Sequence, residues 1–187
     1  MIAYGAAELA NAFRTVRKNT IQVADDIPED KYSFTAAPGA RSVSDLLKHI
    51  IFAPGFYEDV HGVKRITTFK GFDFTAALAA PAAKEKEPRS KAQIIDLLQF
   101  EGDRLATWFA SLNDAFLNET FTDATRQNPK TRFEGLLSIK EHEMHHRGQL
   151  MLMERMVGVV PHLTRERQER ARLRAAAAAA VATSQSR

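Results

Sequence analysis

The sequence predicts an all-α protein, a four-helix bundle with an extra helical tail at its C-terminus. Two observations carry this. Four stretches place apolar residues three and four positions apart, while alternating apolar–polar runs of the strand type are scarce. Turn formers or capping residues bound those stretches. At 187 residues, 44% apolar and 26% charged, the chain suits one globular domain of ordinary size.

The first helix is expected over residues 6–27, where Leu9, Phe13, Val16, Thr20, Val23 and Ile27 form one stripe and Pro28 stops it. The run KYSFTAAPGA is then a connector rich in turn formers. Ser42 and Asp45 have capping-box spacing and start the second helix, which Pro54-Gly55 kinks or ends, although Phe56, Tyr57 and Val60 keep the pattern alive. A third helix follows Pro88 and spans about 90–112, with Ile95, Leu98, Leu105, Phe109 and Leu112 on one stripe bordered by Trp108. Thr131 and Glu134 cap the fourth, which runs to about Val157 before Gly158 and Pro161. These elements imply a bundle domain over 1–163 and a tail over 164–187.

Between the second and third helices, residues 62–88 make a long connection carrying Phe69, Phe72 and Phe74. Two readings stand open: a surface crossover anchored by aromatics, or a lid over a pocket.

Several classes fall away on composition. The chain has no cysteine, which removes a disulfide scaffold, a thiolate metal site and a cysteine nucleophile. No run approaches the roughly 18 apolar residues of a membrane span. The N-terminus, MIAYGAAELANAF, lacks a basic n-region, so a cytoplasmic location is expected. The net charge of +3 belongs to the tail, where residues 164–187 hold six arginines and two glutamates, leaving the body with 20 basic and 21 acidic residues. A solvated helix is the expected state of that tail. A phosphate- or membrane-binding arm is the alternative, but it lacks the aromatic interleaving of a base-stacking surface, so nucleic acid is not an expected partner.

Three of the six histidines lie in EHEMHHRGQL on the fourth helix. With about 100° per residue, His142, His146, Gln149 and Met153 fall within about 60° of one another, on the face that also holds Ile139. His145 sits on the rim, Glu143 about 100° from His142 and Arg147 farther round, pointing to the surface or an interface. Imidazoles four residues apart on a helix are close enough to share one metal ion. Two sources of a third ligand follow. His142-Glu143-Met144-His145-His146 matches H-E-x-x-H, with Glu143 as general base and Glu166 or Glu169 as a distant ligand. Alternatively, His49 lies on the inward stripe of the second helix with Leu46, Ala53 and Phe56, and would complete a three-nitrogen site inside the bundle. His61 and His162 read as loop residues, and Asp45 as the cap of its own helix.

A histidine in LLKHI followed by H-x-x-x-H-R-G-Q about 90 residues later, at His49, His142, His146, Arg147, Gly148 and Gln149, resembles the DinB/YfiT-like superfamily. The run IPEDKYSFTAAPGARSVSDLLKHI resembles that family's connector, and the resemblance covers roughly residues 5–160. It implies an up-down-down-up bundle holding a divalent ion, zinc or nickel, on His49, His142 and His146. It also implies thiol-dependent S-transferases and a mycothiol-dependent isomerase among the activities, with a low-molecular-weight thiol as cosubstrate, beside members with no established reaction, so a thiol-dependent S-transferase or related hydrolase is the expected function. A non-catalytic metal-binding stress-response bundle is the alternative. Three neutral imidazoles leave the ion's +2 charge uncompensated, which favours deprotonation of a coordinated water or thiol. Gln149 then serves to orient a ligand or substrate or simply to hydrogen-bond behind the metal ligands, and Glu143 as a base only where the helix rim is open.

Phe133, Leu137, Met144, Gly148 and Met151 make the opposite side of the fourth helix apolar as well. This seam predicts burial against a second copy, giving a homodimer, or against the tail helix.

Overall fold

The computed structural model describes residues 4–123, 125 and 129–185. The bundle consists of α1 (Ala6–Asp26), α2 (Val43–Phe52), α5 (Lys91–Ser111) and α7 (Arg132–Met156). Shorter pieces join them: α3 (Pro54–Tyr57), α4 (Phe74–Lys86) and α6 (Asp114–Asn118), with α8 (His162–Gln185) following. Strands β1 (Thr120–Phe121) and β2 (Lys130–Thr131) pair antiparallel just ahead of α7. Among the described residues no helix is long and apolar enough to cross a membrane.

The caps act where the sequence places them. The Ser42 hydroxyl accepts the Asp45 amide, and Thr131 and Glu134 cap each other's backbone at the start of α7. Ser90 and Gln93 form another reciprocal capping box, which opens α5.

Side-chain contacts give the helix directions. Lys91, at the start of α5, donates to the carbonyls of Asp25 and Ile27 at the end of α1, while Phe13 meets Phe109 edge-on, so these helices run antiparallel. Tyr4 lies against Phe133 and Arg17 pairs with Glu143, so α1 and α7 run parallel. Arg89 stacks on Phe52 and Arg104 grips Glu58, making α2 with its extension parallel to α5. The result is the up-down-down-up order, with α1 and α2 each packed on both α5 and α7 and diagonal to one another.

Two apolar clusters fill the interior. Val23, Leu47, Ile50, Leu98 and Leu150 belong to one, and Leu9, Phe13, Leu105, Phe109 and Ile139 to the other. Between them lies a buried ion pair. Arg17 donates from Nε to Glu143 Oε1 at 2.9 Å and from Nη2 to Oε2 at 2.9 Å, and from Nη1 to the Leu98 carbonyl at 2.9 Å. Gly102 makes room for it, since a Cβ there would stand 2.6 Å from Arg17 Cγ.

The long connection is more ordered than a loop. After α2 the chain continues through α3 and a turn of π-helix, Glu58–Val63. Pro54 has no N–H to donate to the preceding turn, which is why the helix is offset there without stopping. Phe69 and Phe72 then pack with Phe56 and Val60 in a small third cluster. The Ala-rich piece forms α4, an exposed helix laid along α2 that the apolar periodicity does not reveal, since all of its side chains are at least partly exposed. Phe69 and Phe72 are therefore anchors, as in the crossover reading, while Phe74 stays exposed, and a helix stands where the sequence suggests loop.

The back of α7 is partly covered by the bundle itself. Phe133 and Leu137 pack on one core cluster and Met151 on the other, whereas Met144 and Gly148 remain exposed. The first turn of α8 packs against α1, with Arg165 paired to Asp26, and from Arg165 to Val181 its side chains are exposed.

Glu154 is fully buried near Asp26, Arg155 and Arg165, and neither carboxylate oxygen has a hydrogen-bond partner among the described residues. Burial, with the Asp26 charge adding to it, raises its pKa to about 7. The folded protein therefore keeps a proton that the unfolded chain releases near pH 4.5, so this residue's contribution to stability is present at low pH and is lost as pH rises toward 7. Comparing chemical denaturation at pH 5 and pH 8, Glu154→Gln should remove a stability loss on the order of 2–3 kcal/mol that the wild type shows between these values. Glu143→Ala, which strands Arg17 in the interior, should cost about 3–5 kcal/mol in the same assay.

Candidate metal centre

The three histidines meet where α2 crosses α7. His49 lies one turn before the Pro54 offset, and antiparallel packing of α2 on α7 sets it opposite His142 and His146. Nε2 of His142 is 3.0 Å from Nε2 of His49 and 3.0 Å from Nε2 of His146. One nitrogen of each ring lies within 4.8 Å of the others, and this is the only such group of three ligating residues among the described ones.

The opposite ring nitrogens decide what these atoms can do. His49 Nδ1 is 2.9 Å from Glu85 Oε1, at the end of α4, and His146 Nδ1 is 2.8 Å from Gln149 Oε1. Both partners are acceptors, so each Nδ1 carries the proton and each Nε2 presents a lone pair to the centre. A neutral His142 has one Nε2 proton at most, which can serve only one of its two 3.0 Å contacts. The other is left with no proton to share, and with His142 protonated at Nδ1 instead both contacts set lone pairs face to face, an arrangement that suits a shared cation. Burial lowers the pKa of His142 to about 4, helped by the neighbouring His146 and His49, and burial also lowers that of His146. The charge of Arg41 acts in the same direction on both. The His142 and His146 rings are therefore held neutral, the form that binds metal. The donor set fits a divalent transition ion on three imidazoles, each of two rings being fixed by an outer hydrogen bond.

Glu143 does not belong to this centre. Its side chain is buried and bound at both oxygens by Arg17, because the face about 100° from His142 turns toward α1 and not to an open rim. It is excluded as a general base, and the H-E-x-x-H reading loses the residue its chemistry requires. Glu166 and Glu169 lie on exposed α8, and no carboxylate completes the histidine group among the described residues. Gln149 is engaged in orienting His146 and also lies 3.2 Å from Nε2 of exposed His145.

Three other expectations need correction. Arg147 is not a free surface residue. It is half-buried against α1, donating to the Val16 carbonyl at 3.3 Å. His61 is buried in the π-helical turn, stacked near Tyr57 and beside Arg132, and burial lowers its pKa to about 4. His162 is also buried, at the start of α8, with Nε2 3.3 Å from Asn19 Oδ1. Both histidines support the fold away from the metal centre.

Glu85 and Arg41 are the residues that sequence reasoning missed. Glu85 sits in a KEKE run with nothing to distinguish it from a solvated charge, and Arg41 in a connector of turn formers. Arg41 borders a cavity of about 360 Å³ that also reaches His146 and Gln149. Removing the outer carboxylate should loosen His49: Glu85→Ala is expected to weaken zinc binding by about 10–100-fold in a chelator competition, with Glu85→Gln intermediate.

The DinB superfamily model matches residues 12–150. Among solved structures, a DinB-like protein from Bacillus subtilis is 21% identical, with a TM-score of 0.59 over 81% of this chain and 92% of that one. A DinB-like protein from Bacillus cereus is 19% identical, with a TM-score of 0.60 over 82% and 93%. YfiT from Bacillus subtilis, described as a probable metal-dependent hydrolase with an unusual four-helix bundle topology, is 14% identical, with a TM-score of 0.60 over 82% and 88%. None of the curated proteins matches. With the family match spanning most of the bundle, its fold shared by these structures, and three histidines converging between α2 and α7, the chain belongs to the DinB superfamily.

Proposed function

We propose that this protein is a metal-dependent enzyme acting on a small molecule, a thiol-dependent S-transferase or a related hydrolase, with His49, His142 and His146 as the ligands of zinc or nickel. The observation that carries the reading is the convergence of three Nε2 atoms, two of them turned inward by acceptors on the opposite ring nitrogen. A divalent ion on three neutral imidazoles supplies a Lewis acid that lowers the pKa of a coordinated water or thiol.

The chain's own residues do the rest. Glu85 and Gln149 hold two rings in place, so little reorganisation is needed when a ligand arrives. The cavity beside His146 offers a small molecule a way to the centre, which favours an enzyme over the non-catalytic bundle. A chain without cysteine must take any thiol from a cosubstrate. The description of YfiT as a probable metal-dependent hydrolase supports the same class.

The test is metal content of tag-free protein, wild type beside His49→Ala. About one zinc or nickel per chain, lost in the variant, is expected. Metal retained without His49 would shift the site onto α7 alone, and metal in neither sample would remove the basis for this function.

A further inference from the structure

The cavity of about 360 Å³ beside the metal centre has a divided lining. Leu46, Leu152 and Met153 form an apolar wall, His146 and Gln149 lie at the metal end, and Arg41 is the one cationic side chain on the border. No lining residue is acidic. Arg41 pairs with no carboxylate among the described residues, in contrast to Arg17, Arg104 and Arg165, each of which is held by one.

The backbone holds Arg41 in place. Gly39, at φ +78, turns the connector, a conformation that side-chain-bearing residues rarely adopt. The next residues are tied back by a bridge between Thr35 and Ser42 and by the bonds Val43 N to Phe34 O and Ser44 N to Tyr32 O, at 3.0 and 2.9 Å. Arg41 therefore extends from a fixed point immediately before the α2 N-cap, with its fork of five donors free for a planar anion. The volume lies at the low end for ligand sites, which suits a small metabolite and not a polymer.

We propose that this cavity binds a small carboxylate with an apolar body, the carboxylate held by Arg41 and the body lying along Leu46, Leu152 and Met153, so that the substrate's thiol or other reactive heteroatom is carried to the three-histidine centre. The inference rests on the metal-site reading above and adds the substrate class to it. Arg41 is a specificity residue, since it recognises the end of the molecule away from the reacting atoms.

The test uses cobalt-substituted full-length protein and two readouts. Optical titration of the thiolate-to-cobalt band compares 3-mercaptopropionate with the neutral 2-mercaptoethanol, and calorimetry compares hexanoate with hexanamide. The acid is expected to bind at least about tenfold more tightly than its neutral partner in both pairs, with Arg41→Gln abolishing the preference while 2-mercaptoethanol still produces the cobalt–thiolate band. Equal affinities for acid and neutral partner in wild type, or a preference that survives Arg41→Gln, would overturn the inference while leaving the metal site intact. Hexanoate discrimination through Arg41 without a cobalt–thiolate band from any thiol would uphold the carboxylate pocket and count against the open coordination position.

Discussion

The antiparallel packing of α2 on α7 is the constraint on which the site depends. A histidine pair one helical turn apart can offer an ion two nitrogens from one helix, and the third must come from a neighbour at the same height. The up-down-down-up order supplies that neighbour. It places α1 and α7 side by side in parallel and leaves α2 to run the opposite way along α7, so that Leu46 borders the same cavity as Met153 while His49 reaches His142. The offset at Pro54 follows one turn after His49 and lets the chain turn into the π-helical segment without ending the packing.

Around the histidines, polar contacts are divided by task. The Arg17–Glu143 pair separates the two apolar clusters, and its hydrogen bonds are confined to α1, α5 and α7. Breaking such a pair is costly because the survivor is left as a buried, uncompensated charge. Glu85 and Gln149 serve the imidazoles instead. Glu85 comes from α4, which has no fully buried residue, so the outer contact to His49 depends on an exposed helix staying docked on α2. The placing of His49 and order in the connection are thereby linked.

The bundle helices were legible because their burial is local and periodic. Leu9, Phe13, Val16, Thr20 and Val23 are all buried, the Ser42 hydroxyl caps α2, and the capping box at Thr131 forms in full. The histidines were legible for the same reason, since His49, His142 and His146 occupy inward stripes of two helices. α4 was not, because a helix exposed on nearly every side leaves no apolar stripe to read. Glu143 was misplaced because a helical wheel gives an angle but does not say whether the neighbour at that angle is solvent or another helix. His61 was read as loop because Pro54-Gly55 looks like a stop, whereas the helical turns continue beyond it and bury the ring beside Arg132.

By itself the sequence determined the helices, their caps and the inward course of three imidazoles, because hydrophobic periodicity and capping act over a few residues. Only the tertiary structure decided which carboxylate holds His49, which face of α7 receives Arg17, and that Arg41 borders the cavity beside His146. Those facts join residues 36 to 126 positions apart in the chain. Contacts at such distances are set by how whole helices pack, a property that no local pattern encodes.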